Sequence, residues 1–442
     1  MATNSLIQFG GAQRRALQVL AVVAAAGFMG LGHSKTLPVY GLDDDDGRDV
    51  AAQSSHRPSV KAAFPLESYG PDSTARLVIT DTAPRVSIAI WHAGPEIGGR
   101  VSRLPSDVMT GVPMTKPHTI GSVSGLRIVN VRLANWPSGV YFVRLSAPGG
   151  RVGYAPFVLR PKHLGENRVA VVMPTQTWQA YNHRDDDGDG TADTWYACAC
   201  KHTARLGRPF LDRGTPPHYK YYEIPFLRWV SRNHPDADII SDAELKDASG
   251  HQLANAYSLI IFSGHHEYVT THEYDAVTNY RDRGGNLIFL SANNFFWKIV
   301  IRGRVMTRVV KWRDIGRPEA ALLGVEYFHN DGGQHRGNWI VRDAARFGWL
   351  LDGTGLTNGG SISNGGVEAD HVTSESPRST RVVAEIPNLY GPGMTAQMTY
   401  YERAGAKVFA AGAFTLAGGV PQPKVRQLVD NLWKRLANDR RS

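Results

Sequence analysis

The stretch "SGHHEYVTTHE" (Ser263–Glu273) sets three histidines and two glutamates within eleven residues, directly after the apolar run "YSLIIF". Imidazoles and carboxylates at that density can ligate a metal or pass protons; a polar loop closing a strand is the competing reading. A second concentration, "AYNHRDDDGDGTADTWY" (Ala180–Tyr196), carries Asp185, Asp187 and Asp189 at alternate positions, then Gly190 and Asp193. Alternate carboxylates in a loop turned by glycine wrap oxygen donors around a hard cation, as calcium loops do. The twelfth position is Tyr196 instead of a bidentate glutamate, so a complete EF-hand is missing, and calcium stands against a solvated acidic turn. No GxSxG, phosphate-binding loop or HExxH occurs, which removes those routes to chemistry.

The elements around these residues read as a parallel sheet. "RVAVVM", "YSLIIFSG" (Tyr257–Gly264), "NLIFLSANN" (Asn286–Asn294) and "AKVFAAG" (Ala406–Gly412) are continuous apolar runs, as expected of strands buried on both faces. Between the second and third lies a helix with readable ends, a capping-box pair at Thr270 and Glu273 and a stop at Gly284 and Gly285. Strand, helix, strand is a βαβ unit, and ligands of open α/β sheets bind beyond the carboxyl ends of the strands. His265, His266 and Glu267 fall just past one such end, Asn293 and Asn294 just past the next. His266 and His272 are expected to face solvent. A last helix presents Val425, Leu428, Val429, Leu432, Trp433 and Leu436 along one side.

Upstream the texture differs. From 60 to 161 short alternating runs ("ARLVIT", "VSIAIWHA", "LRIVNVRL", "GVYFVRLSA") are broken by Gly, Pro, Asp and Asn, the pattern of an immunoglobulin-like β-sandwich. Residues 36–59 are polar and acidic and read as a flexible linker. Residues 1–35 place Arg14 and Arg15 before an apolar run of small residues, the shape of an export signal, with an uncleaved N-terminal anchor as the alternative. The expected location is therefore periplasmic or extracellular, with no membrane domain beyond that segment. The α/β region runs from 162 to 442. A net charge of +9 is spread without a long Lys/Arg run, which argues against nucleic acid as a partner. The two cysteines, Cys198 and Cys200, are separated by one residue; a mutual disulfide there is strained, and a disulfide-built fold is excluded.

Six segments in order, "TWQAYN", an aromatic closing the following loop, "EIPFLRWV", "SGHHEY", "RDRGGNLIFLSANNFFW" and "TYYERAGAKVFAAGAF", resemble the C-terminal region of the large (β) subunit of N,N-dimethylformamidase and its relatives. The resemblance covers roughly 154 to the C-terminus. It implies a glutamine-amidotransferase-like (flavodoxin-like) α/β domain without the usual cysteine nucleophile, one iron held by two tyrosines and a glutamate, and hydrolysis of a small formamide. Carried over by motif, the ligands are Tyr181 of "AYN", Glu267 of "GHHEY" and Tyr196, with Tyr222 as the rival second tyrosine. His265, Asn293 and Glu402 of "YYER" fall on the remaining matched positions. The acidic insert after "AYN" departs from the family's short glycine-rich loop.

Phenolate and carboxylate are hard donors suited to ferric iron. A metal held so can polarise an amide carbonyl and lower the pKa of water. His265 then suits proton transfer to the departing amine, and Asn293 suits a developing oxyanion. The expected function is metal-dependent hydrolysis of a C–N bond in a small amide, with a homo-oligomer or a small partner subunit left open. The alternative is a catalytically silent exported protein that binds calcium, carbohydrate or a surface.

Overall fold

The computed structural model describes residues 58–97 and 101–438. The expected export segment, 1–35, and the linker up to residue 57 lie outside the described residues. The protein is mixed α/β, with more sheet than helix.

The first sheet has seven strands and is built on one 19-residue strand, Thr74–His92. Its first part pairs antiparallel with His118–Arg132 and its end with Gly139–Ala147, which pairs with Arg151–Leu159. The sequence suggested two strands here, "ARLVIT" and "VSIAIWHA", parted by Pro84. The chain instead passes straight through, with register shifts between Ala83 and Ser87. A proline is tolerated in a strand where a bulge already breaks the ladder. The hydrogen bonding therefore draws one continuous sheet, and an immunoglobulin-type pair of sheets is not what it defines.

The second sheet holds eleven strands. Five parallel strands, β1 (Val169–Met173), β2 (Asp238–Ser241), β3 (Leu259–Phe262), β4 (Asn286–Phe289) and β5 (Ala406–Ala410), lie in the order β2-β1-β3-β4-β5. Each is buried throughout except Lys407 in β5, as continuous apolar runs demand. Beyond β5 the sheet turns antiparallel through Ala396–Arg403, Arg381–Ile386, Arg336–Val341, Ser361–His371 and Glu326–Asn330, with Ala413–Phe414 paired to Ser361–His371. The sheet is thus mixed, which corrects the expectation of a wholly parallel, flavodoxin-like sheet. The strands of 326–403 follow one another without crossover helices of useful length, and short connections return a chain antiparallel.

Helix α1 (Thr175–Ala180) follows β1, α2 (Ile224–Asn233) precedes β2, and α3 (Thr271–Asp282) carries the chain from β3 toward β4. Helix α3 begins at the predicted capping box, where Thr270 Oγ accepts from the Glu273 amide. Helix α4 (Pro423–Ala437) buries all six residues of its predicted face. One core joins the two sheets: Phe142, Tyr154 and Val158 of the first pack in the same cluster as Val169, Val171 and Trp229. That shared core holds the carboxyl ends of β1, β3 and β4 in fixed register, and the candidate site lies beyond them.

Candidate functional site

Four segments leave the strand ends and converge. Tyr181 is the residue that ends α1, its amide bonded to the Thr177 carbonyl at 3.0 Å. Glu267 lies five residues past β3, its amide donating to Thr177 Oγ1 at 3.2 Å and its carbonyl accepting from the Trp297 amide at 2.9 Å. Both backbones are therefore tied to the same turn of α1. The Tyr181 hydroxyl donates to Glu267 Oε2 at 2.7 Å, and the Tyr196 hydroxyl donates to the same oxygen at 3.1 Å. The two tyrosine rings stack with centroids 4.5 Å apart. Tyr196 is 36% exposed, yet its hydroxyl turns inward to hydrogen-bond Tyr268 as well. Trp195 Nε1 donates to the Tyr268 hydroxyl at 3.2 Å, and Thr194 bonds back to the Ala180 carbonyl, which anchors the loop beneath Tyr196.

His265 stands beside this group. Its Nε2 is 3.5 Å from Glu267 Oε2 and 3.3 Å from Glu368 Oε2. It is buried, and neither His265 Nε2 nor Glu368 Oε2 has a hydrogen-bond partner among the described residues. Glu368 Oε1 accepts from Asn330 Nδ2 at 3.0 Å. Asn293 sits in the left-handed region (φ 53°), its amide held by Asp370 Oδ1 at 2.9 Å. Gly264, just before His265, is required by space: a Cβ there would meet Glu223 Oε1 at 2.7 Å.

Burial governs the electrostatics. It pushes the Glu267 carboxyl up to about 7, against the opposing pull of hydrogen bonds from Tyr181, Tyr196 and Tyr268. Burial, then the Glu267 charge, holds the phenols of Tyr181 and Tyr196 well above their ordinary range. Glu368 is raised for the same first reason, with Glu267 adding to it. Burial keeps the His265 imidazole neutral, and His266 and His218 act in the same direction. A buried acid with phenols crowding one of its oxygens is a donor set short of positive charge, and a hard cation among those oxygens would lower every one of these proton affinities. The residues fit a metal of the ferric kind.

Tyr181, Tyr196, Glu267, His265 and Asn293 are thus brought together. Tyr222 is not on Glu267; it lines a small cavity next to His265, its ring 5.2 Å from Phe414. Glu402 lies elsewhere. It is exposed, accepts from the Tyr400 hydroxyl at 2.5 Å, and pairs in register with Lys407 at the amino end of β5, the opposite end of the strands from the site. The expected solvent-facing role of His266 is also corrected: it is buried, Nδ1 3.1 Å from the Gly264 carbonyl oxygen and its ring 4.9 Å from Phe262, while His272 is exposed on α3. Asp185, Asp187 and Asp193 gather their carboxylates within 4.8 Å of one another. Asp189 turns away to accept from the Thr191 amide at 2.7 Å, and the Lys201 ammonium lies 3.2 Å from Asp193. Cys198 and Cys200 are disulfide-bonded, with Cα atoms 5.2 Å apart. The pair lies in an irregular turn, within the Cα separation that disulfides adopt.

Sequence reasoning missed Tyr268, Glu368, Asn330 and Asp370. Tyr268 lies in the quoted "GHHEY" but reads as an apolar strand residue. Glu368 lies in "GGVEADH", which nothing local ties to the site. It follows Val367, whose φ of 70° marks a bulge between Gly366 and Ala369. A β-branched residue in that region is a strained outlier, and such residues concentrate at functional positions.

Fold and site together define a mixed α/β protein with a buried carboxylate–phenol pocket beyond its parallel strands. The chain belongs to the N,N-dimethylformamidase beta subunit-like, C-terminal family, whose profile matches residues 129–427. Two curated relatives are N,N-dimethylformamidase beta subunits, from an Alcaligenes species and from Paracoccus aminophilus. Each is 24% identical over 143 residues, a match that spans 32% of this chain and 18% of the relative. Among solved structures, an uncharacterized protein from Bacillus anthracis str. Ames matches 24% of this chain and 85% of its own, at 10% identity and a TM-score of 0.18. A score that low does not inform the fold.

Proposed function

We propose that the protein is a metal-dependent hydrolase of a C–N bond in a small amide. The observation that carries this reading is the convergence of two tyrosine hydroxyls, from opposite ends of the acidic loop, on one oxygen of buried Glu267. Tyr181, Tyr196 and Glu267 would hold a single iron ion, with Tyr268 supporting Tyr196. When bound, that ion supplies a Lewis acid for the amide carbonyl and lowers the pKa of water. The chain's own residues do the rest. His265, neutral and with a free Nε2, takes a proton and passes it to the departing amine. Glu368, 3.3 Å from that nitrogen and raised above its ordinary range by burial, positions the imidazole. Asn293, with Oδ1 unpartnered and its backbone pinned by Asp370, orients the substrate amide. Trp195 and Tyr268 close the far side against bulk water.

Two further parts belong to the same proposal. The loop carboxylates Asp185, Asp187 and Asp193 take a calcium ion that orders the segment bearing Tyr196. Assembly with another subunit or a second copy is in keeping with relatives named as beta subunits. Among the described residues no helix is long and apolar enough to cross a membrane.

The test is hydrolysis of small formamides and acetamides by iron-reconstituted protein. Wild type should turn them over, and His265→Ala should keep its iron while losing kcat by about 100-fold or more, the usual worth of a positioned acid–base group. Full activity in His265→Ala, or none in iron-replete wild type, rejects the reading.

A further inference from the structure

Beside His265 the cavity wall includes Tyr222 and Phe414. Phe414 pairs with Gly366, and Gly366 pairs on its other side with Arg336, the first residue of the strand Arg336–Val341. Residues directly opposite in an antiparallel pair share a face. Gly366 presents no side chain, and a Cβ there would meet Arg336 Cγ at 3.2 Å. The stem of Arg336 therefore starts against Gly366, one strand from Phe414, whose ring is 5.2 Å from Tyr222 and 4.8 Å from His265. At the end of that stem Nη2 is buried and has no hydrogen-bond partner among the described residues. The Arg336 charge reaches the Tyr222 phenol, which it draws downward against the larger effects of burial and Glu368.

A buried guanidinium nitrogen without an acceptor costs stability, and a guanidinium pairs with carboxylate or phosphate oxygens, of which a small amide substrate most simply carries the carboxylate. Glu368 does not serve as that acceptor: its Oε1 accepts from Asn330, and its Oε2 lies 3.3 Å from His265 Nε2. We propose that Arg336 is a specificity-determining residue that receives a carboxylate of the substrate, so that the site takes a small amide bearing a carboxylate, of the N-formyl or N-acyl amino-acid class. The carboxylate sits past Tyr222, and the scissile amide extends to His265 and Glu267. A chain of net charge +9 favours the approach of such an anion. This inference rests on the amide-hydrolase reading of the site, and the two can fail separately.

The experiment compares N-formylglycine with the neutral N-methylformamide, on the full chain, by calorimetric binding and by hydrolysis after iron loading. Wild type should bind N-formylglycine the more tightly. Arg336→Gln should weaken that binding by about 10- to 100-fold, the worth of charge-assisted hydrogen bonds, and leave N-methylformamide within about twofold. Arg336→Lys, which keeps the charge without the fork, should fall between. Equal loss for both ligands, no loss for either, or a wild-type preference for the neutral amide overturns the inference. Arg336-dependent binding without hydrolysis of any amide would instead leave the inference standing and remove the hydrolase reading.

Discussion

At the scale of single residues, the site is decided by which oxygens meet. Glu267 was legible because it falls just past a strand that announces itself by an apolar run, whereas Tyr181 entered through the "AYN" motif of the resemblance. The second tyrosine was not decidable from sequence, since Tyr196 closes an irregular loop and Tyr222 ends a four-residue helix, neither with a local signal that ties it to Glu267. Geometry separates them: the Tyr196 hydroxyl reaches Glu267 Oε2 at 3.1 Å, whereas Tyr222 packs against His218 and Phe414. Tyr196→Phe should therefore lose most of its iron after reconstitution, and Tyr222→Phe should retain it. Metal analysis of the two variants checks this, and the reverse outcome would move the ligand to Tyr222. Glu402 shows the opposite error. The "YYER" motif places it in the set by resemblance alone, and strand pairing carries it to the amino end of β5, away from the site.

Elements explain the rest of what could and could not be read. The parallel strands β1, β3, β4 and β5 and the helices α3 and α4 carry strong local signals, apolar runs, a capping box and a helical stripe, whereas β2, two isoleucines between Asp238 and Ser241, carries none. The antiparallel half carries weaker ones, and its contribution to the site depends on pairing between residues far apart in sequence. Glu368 enters only because the strand Ser361–His371 bulges at Val367 beside Phe414 and Ala413. No local pattern foretells that. The acidic loop is a third case: its spacing suggests four ligating carboxylates, of which Asp185, Asp187 and Asp193 gather while Asp189 does not, and the neutralising Lys201 lies beyond the motif. On the calcium proposal, titration calorimetry should show a saturable calcium heat in wild type that Asp187→Ala abolishes. Equal, negligible heats in both would leave a turn neutralised by Lys201.

Over the whole molecule, an unusual number of buried acids sit above their ordinary proton affinity. Burial raises Glu273 and Glu319 to about 7 and Glu223 and Asp370 to about 8. For an acid raised on folding, the native state binds its proton more tightly than the unfolded chain, so stability from it is present at low pH and is lost as pH climbs through the folded value. The buried histidines act below about pH 6.5, where the unfolded imidazole protonates, so they do not oppose this above it. Metal-free protein should therefore melt at a temperature a few degrees lower at pH 8.5 than at pH 6.5. A melting temperature that rises over that interval would mean these carboxyls are paired and charged. The central claim, that phenols and Glu267 form one metal centre, is tested most directly by visible absorption of the iron-reconstituted chain. Ferric ion bound to tyrosine oxygens absorbs visible light by phenolate-to-iron charge transfer, so wild type should be coloured and Glu267→Ala, lacking the shared carboxylate, should be colourless and iron-poor. A colourless, iron-free wild type, or equal colour in Glu267→Ala, would contradict it.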